Sequence, residues 1–356
     1  MALSWRMRAR ACANIALIKY WGKKTQGIQL PINPSLSFTL KHSYVDFDVT
    51  FLKGQGPCLN LTSFLYNGHP MPSFEKRIVD YLRQNLENEN ISVAIKSQCS
   101  FPHSAGIASS AASMAALALI VCRYKAIDRE QFYQQASILA RLGSGSACRS
   151  VYGGMVLWGE DPAFAGSSDQ WAIPLSSDHL VVAPLFRKLR DTILLVDSSA
   201  KEISSSAGHR LMNDHPYREA RVLTARNNLY KLCRELNSGD WREVANVVES
   251  EALGLHALMM TSTPSYLLLK PATLAIVDKL RHWRARESLP LFFTLDAGPN
   301  LHLIYPDVDD VVPRVKEFIK GELLVFCENQ RFIDDEMSEQ APCVVLEEQI
   351  DEKECC

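Results

Sequence analysis

The stretch FPHSAGIASSAASMAALALI (101–120) joins a proline, a run of small residues and a Ser-Ser pair to an unbroken series of helix formers. Gly106 among small neighbours lets a ligand approach the backbone closely, and Ser109 and Ser110 stand where the following helix begins, beside N–H groups that have no partner within the helix. A helix start of this kind binds phosphate. The stretch has neither GxxxxGK(S/T) nor GxGxxG, so a nucleotide held here is held by backbone amides and serines. A buried Ala-rich helix with a serine N-cap fits the same letters.

Outward from this stretch, strand and helix signals mix. VDFDVTFL (45–52) and ISVAIKS (91–97) alternate or run β-branched, and FEKRIVDYLRQNL (74–86) carries Ile78, Leu82 and Leu86 at helical spacing. Asp128 and Gln131 read as a capping box that opens a helix ending at Gly143. After a Gly-, Ser- and Asp-rich loop (159–170), TILLVDSS (192–199) restarts the pattern, which sets a boundary near residue 185. Helical stretches at 210–237, 240–259 and 271–287 follow, then LFFTL and LHLIY on either side of DAGPN, then a helix near 308–320. This order predicts an α+β fold with units 1–185 and 186–330, and an acidic tail or edge strand over 331–356.

A chain of 356 residues exceeds one typical domain, so two lobes sharing a cleft is the expected plan. The net charge of −2 supplies no field for nucleic acid and favours small-molecule partners. None of the ten cysteines forms a CxxC pair, which predicts reduced thiols in the cytoplasm. Arginines precede an apolar segment near the N-terminus, but Asn14 and Lys19 interrupt it, so it reads as a first strand. No apolar run approaches membrane-spanning length, and no membrane partner is expected.

Four more segments carry candidate chemistry, each with an ordinary structural alternative. In RLGSGSACRSVYGG (141–154), Ser144, Ser146 and Arg149 can converge on one anion, the Arg with its forked donors, or simply stop a helix and form a salt bridge. In FFTLDAGPNLHLIY (292–305) a strand delivers Asp296 to a tight turn, to face a cleft or to cap its own loop. NIALIKYWGKK (14–24) ends a strand with Lys19, Tyr20, Lys23 and Lys24, to meet a dianion or only solvent. KEISSSAGHR (201–210) offers a second serine cradle or a helix cap.

Taken together, NIALIKYWGK, PHSAGIASSAASMAAL, RLGSGSACRS, KEISSSAG and DAGPN occur in the order found in the GHMP small-molecule kinase superfamily. Within it, the chain closely resembles the mevalonate diphosphate decarboxylase branch over residues 9–305. The resemblance implies a ribosomal-protein-S5 domain 2-like N-terminal lobe, a ferredoxin-like C-terminal lobe and a site between them. It implies ATP-dependent decarboxylation of mevalonate 5-diphosphate to isopentenyl diphosphate with Mg2+, in a cytoplasmic homodimer.

Carried over by position, Asp296 matches the family's catalytic carboxylate and Arg149 the residue that holds the C1 carboxylate. Tyr20, Lys23, Ser144, Ser146 and Ser205 match positions that grip the substrate, largely its diphosphate. Ser104, Gly106, Ser109 and Ser110 fall in the ATP-phosphate loop, with Ser110 toward the metal. The chain departs from the pattern at His103-Ser104, Pro34 and Ser206, and at His209, where Met is usual. The rival readings are a mevalonate 5-phosphate decarboxylase, a mevalonate 3-kinase, and a nucleotide-binding regulator without turnover.

Overall fold

The N-terminal apolar segment forms β1 (Ser4–Ile18), and β2 (Ser35–Lys53) runs antiparallel beside it from Ser4↔Leu52 to Ile18↔Leu36. Their register slips twice, between Cys12 and Asn14 and between Ala16 and Ile18. The computed structural model describes residues 4–25, 29–53, 59–86, 90–102, 109–199, 203–342 and 344–347.

Next come β3 (Asn60–Tyr66), α1 (Pro72–Asn85), β4 (Ile91–Cys99), α2 (Ser109–Tyr124), α3 (Phe132–Gly143), β5 (Met155–Trp158) and β6 (Ala172–Pro174). Helix α2 is buried without a break from Ala111 to Cys122. A helix apolar on every side belongs in a core, and its alanines let it lie close to β1, β2 and α3. The start of α2 is thereby fixed against the rest of the unit.

The second half contains β7 (Leu189–Leu194), α4 (Ser205–Leu211), α5 (Arg218–Ser238), α6 (Trp241–Met260), α7 (Pro271–Glu287), β8 (Phe292–Leu295), β9 (Leu301–Pro306), α8 (Val312–Phe318), β10 (Phe332–Glu336) and β11 (Val344–Glu347). Its antiparallel sheet has the order β10-β7-β9-β8. The first sheet has the order β11-β1-β2-β4-β3, with β5 on β2 and β6 on β5, and among the described residues only β3 and β4 pair in parallel. The segment after residue 330 thus supplies an edge strand to each sheet. One hydrophobic core runs from β1, β2 and α2 through to Ile193, Phe292 and Ile304 of the second sheet. Among the described residues no helix is long and apolar enough to cross a membrane.

Two local expectations are corrected. The Asp128/Gln131 capping box does not form: residues 128–131 close a turn through Gln131 N–H to the Asp128 carbonyl, so the helix starts one turn later with Gln131 as an uncapped N-cap. The stretch 210–237 is two helices, because Pro216 lacks an N–H and disfavours helical geometry at His215. That break frees α4 to take its own direction.

Candidate active site

Arg149 ends a short 3-10 turn, Gly145–Arg149, that leaves α3, and the residue is 2% exposed. It donates to Ser35 Oγ at 2.7 Å, Ser37 Oγ at 2.9 Å and Asn14 Oδ1 at 3.1 and 3.3 Å. Ser35 and Ser37 share one face of β2 by strand alternation. All of these acceptors are neutral, so the hydrogen bonds fix the guanidinium plane without cancelling its charge. Burial pushes the Arg149 pKa down and the field of Asp296 acts against that fall. A cation so held is a receptor for a planar anion.

Asp296 follows β8 directly, and its Oδ1 takes a hydrogen bond from Lys19 Nζ at 2.8 Å. The lysine side chain is 2% exposed and the aspartate 28% exposed, so the acid opens outward with the cation behind it. Burial pushes Lys19 down, while Asp296 and then Glu251 pull it up. Asn14 and Lys19 would lie on opposite faces of a regular strand. The register slip between Ala16 and Ile18 lies between them, and both side chains serve the same charged cluster.

The backbone at Lys19 is clamped by Glu251 of α6, Arg221 of α5 and Asn33. Its N–H donates to Glu251 Oε2 at 2.9 Å, and its carbonyl accepts from Arg221 Nη2 at 2.7 Å and from Asn33 Nδ2 at 3.0 Å. Arg221 in turn grips both Glu251 oxygens at 2.8 Å. Burial alone would raise the Glu251 pKa, but Arg221 outweighs it and leaves the carboxyl below its usual range. Glu251→Gln leaves Arg221 buried without its counter-charge and is expected to cost about 3–5 kcal/mol, read as a lower urea midpoint at pH 7. Because the folded value is depressed, the pair's contribution is present at neutral pH and fades as pH falls through the depressed value.

A cluster of hydroxyls and cations lies near this pair. Ser110 Oγ, in the first turn of α2, lies 3.3 Å from Ser144 Oγ, and the Ser146 carbonyl accepts from Asn14 Nδ2 at 3.2 Å. The Tyr20 hydroxyl is buried with no hydrogen-bond partner among the described residues. A Cβ on Gly145 would meet the Tyr20 ring edge and hydroxyl at 2.8 Å, so glycine is what admits the phenol. Lys23 is half-buried, and its pKa is lowered first by burial and then by the fields of Arg210 and Arg77. Among the described residues none of these three cations has a carboxylate partner.

His209 ties α4 to the segment that carries Tyr20 and Lys23. Its Nδ1 accepts the Gly22 N–H at 2.9 Å, and burial, helped by Lys23, pushes its pKa down to about 3. Between the usual histidine value of 6.5 and that figure, only the unfolded chain takes up the proton, so stability falls as pH drops through that window. His209→Met removes this dependence and should lose about 3 kcal/mol less than the parent between pH 7 and pH 4, as urea unfolding at each pH will show.

The structure joins Ser110 to Ser144, and places Ser146, Arg149, Tyr20 and Lys23 around the end of β1. Ser109 is half-buried, with its carbonyl bonded to Ser113 Oγ. Ser205 is exposed in the first turn of α4, and no hydrogen bond among the described residues joins it to the other candidates. His103, Ser104 and Gly106 lie outside the described residues. Among the described residues no group of three His, Cys, Asp or Glu side chains could hold a metal. A single hydroxyl such as that of Ser110 suits Mg2+ that arrives on phosphate oxygens, not a dedicated cage. Sequence reasoning missed Asn14, Ser35, Ser37, Arg77, Arg210 and the Glu251–Arg221 clamp, and treated Lys19 only as one of four groups, with Tyr20, Lys23 and Lys24, leaving a strand.

Known proteins resemble the chain in both halves. The family described as Diphosphomevalonate decarboxylase-like N-terminal domain matches residues 11–170, and that described as Mevalonate 5-diphosphate decarboxylase C-terminal domain matches residues 192–354. The diphosphomevalonate decarboxylase of Eremothecium gossypii is 32% identical over 83% of this chain and 76% of its own length. The crystal structure of mevalonate diphosphate decarboxylase from Staphylococcus aureus superposes with a TM-score of 0.80 at 30% identity, covering 97% of this chain and 98% of that one. A structure described as MDDEF in complex with MVAPP, AMPPCP and magnesium gives 0.79 at 26% identity, covering 97% and 99%. The two-sheet α+β architecture is therefore that of the GHMP-kinase-like decarboxylases. With one relationship running through both halves of the sequence and through the fold, this chain belongs to the diphosphomevalonate decarboxylase family.

Proposed function

We propose that this chain catalyses the ATP-dependent decarboxylation of mevalonate 5-diphosphate to isopentenyl diphosphate, releasing ADP, phosphate and CO2. The observation that carries the reading is the Lys19–Asp296 pair, whose carboxylate opens outward within the field of a buried Arg149 bonded only to neutral acceptors. A β-hydroxy acid needs both groups at once. Arg149 grips the carboxylate that will leave as CO2, fixing the bond to be broken. Asp296 takes the proton of the 3-hydroxyl, and Lys19 keeps it anionic and aimed.

Bound ATP supplies the phosphoryl group that turns a poor tertiary leaving group into a good one. Once the hydroxyl proton has passed from Asp296 to solvent, the C3–O bond breaks with release of phosphate, positive charge develops at C3, and the restored Asp296 carboxylate stabilises it. Loss of CO2 provides the electron pair of the new double bond. Lys23, Arg77, Arg210 and the unpartnered Tyr20 hydroxyl supply the charge and donor that a diphosphate requires. On the same reading Ser109, Ser110 and Ser144 receive the nucleotide phosphates and their Mg2+, and Ser146 and Ser205 complete the substrate grip. The units meet near residue 185, and the enzyme works as a homodimer in the cytoplasm, where the free thiols of Cys12, Cys99, Cys122, Cys148, Cys233 and Cys327 are at home.

The test is a product balance with mevalonate 5-diphosphate, mevalonate 5-phosphate and mevalonate offered separately. ADP, phosphate and CO2 in equal amounts from the diphosphate alone is the expected result. ADP without CO2 makes the protein a kinase, CO2 from the monophosphate at equal efficiency makes it the monophosphate enzyme, and no turnover with any of the three makes it a binding protein.

A further inference from the structure

We propose that His209 is a positioning residue for the diphosphate arm of the substrate, fastening the segment that carries Tyr20 and Lys23 to the helix that carries Ser205 and Arg210. The inference rests on the decarboxylase reading for the nature of the anion, but its geometry stands on its own. His209 is 8% exposed, and its ring lies 4.3 Å from that of Tyr20 and 4.5 Å from that of Trp21, each at 36°. Its Nδ1 is the acceptor for the buried Gly22 N–H, which fixes the neutral tautomer with the proton on Nε2.

The backbones on either side are flush. Gly22 has φ +100°, and a Cβ there would meet Ile32 at 2.4 Å and Met212 at 3.2 Å. A Cβ on Gly208 would meet the Trp21 ring at 2.6 Å and the Tyr266 hydroxyl at 2.5 Å. The strand exit and α4 therefore touch at two glycines, and the imidazole supplies the directional bond between them. Lys23 comes from one side of that seam and Arg210 from the other, and the charge of Arg210 acts on Lys23. Like charges on the two sides of the seam repel, and the bond from the Gly22 N–H to His209 holds their backbones against that. A neutral acceptor does so without drawing the lysine into an ion pair, which leaves both charges for the ligand. Methionine at this position fills the space but offers the Gly22 N–H only a weak sulfur acceptor.

His209→Phe keeps a ring between Tyr20 and Trp21 and removes the acceptor, whereas His209→Asn gives up the ring and keeps an acceptor near the Nδ1 position. Three readouts separate them: amide exchange of residues 20–23, the dissociation constant for inorganic pyrophosphate by calorimetry, and steady-state kinetics. In the Phe variant Gly22 should exchange faster, pyrophosphate should bind about tenfold more weakly, and KM for mevalonate 5-diphosphate should rise by a similar factor, with kcat and KM for ATP within about threefold. The Asn variant should stay within about threefold of the parent in all of these.

Unchanged exchange or pyrophosphate affinity in the Phe variant overturns the proposal. So does an Asn variant as weak as the Phe variant, or an equal loss in kcat and in ATP KM, which marks general distortion. A Gly22 amide that exchanges in the unmodified protein as fast as an open loop overturns it without any variant. Should the parent bind pyrophosphate and show the predicted exchange pattern yet release no CO2, the decarboxylase reading falls and the role of His209 stands.

Discussion

Asp296→Asn is expected to lower the rate of CO2 release by about 10³-fold or more while ATP binds within about twofold of its normal affinity. The amide fills the same space but neither accepts the hydroxyl proton nor stabilises positive charge at C3. The change also strands Lys19, which is 2% exposed and hydrogen-bonded to this carboxylate at 2.8 Å. Burial already lowers the Lys19 pKa against the pull of Asp296, so losing the carboxylate lowers it further. Leaving one member of a buried pair uncompensated costs about 3 kcal/mol or more, so the Asn variant should unfold at lower urea than the parent. A second variant separates the two effects: with Lys19→Met added, stability should recover and turnover should not. Recovery of turnover in the double variant would mean that Asp296 serves only to neutralise the lysine.

Much of the architecture is legible in the chain because it rests on local periodicity. The unbroken small and apolar run of α2 marks a core helix, and the alternating residues of β2 and β4 mark strands that bury one face. What fails locally fails for identifiable reasons. Asp128 and Gln131 have the right spacing for a capping box, yet a turn closes first and takes the Gln131 N–H. Helical spacing from 210 to 237 hides the Pro216 break that sets α4 apart.

The site is legible as residue types and illegible as partnerships. Asp296 stands out at its turn and Arg149 in its serine-rich string, but Lys19 sits 277 positions from Asp296, and no window of sequence contains both. It reads as one of four lysine and tyrosine groups leaving a strand, of which the structure buries Lys19 and pairs Lys24 with Asp169. The usable signal was the interruption itself: a polar Asn14 within the buried end of a strand and a Lys19 just past it demand partners. Ser35 and Ser37 gave the same hint by alternating with Leu36 and Phe38 in a buried strand. Glu251 and Arg221 gave none, since they meet only after α5 and α6 pair side by side.

Arg149→Met is expected to separate function from stability in the opposite sense to Glu251→Gln. The guanidinium is buried among Asn14, Ser35 and Ser37 with no carboxylate hydrogen-bonded to it among the described residues, and burial lowers its pKa. The site therefore holds a charge at a penalty that a bound carboxylate relieves. Removing the charge lifts that penalty, while the Asn14 oxygen loses its donor at about 1–3 kcal/mol. The two effects oppose each other, so the unfolding free energy should move by no more than about 1 kcal/mol in either direction. Turnover should fall by about 10³-fold or more, because both the grip on the departing carboxylate and its alignment are lost. Arg149→Lys keeps the charge and loses the fork, and should recover only part of that rate. A Met variant that unfolds several kcal/mol more easily while its remaining folded fraction turns over normally would make Arg149 a structural arginine, and the carboxylate of the substrate would need another partner.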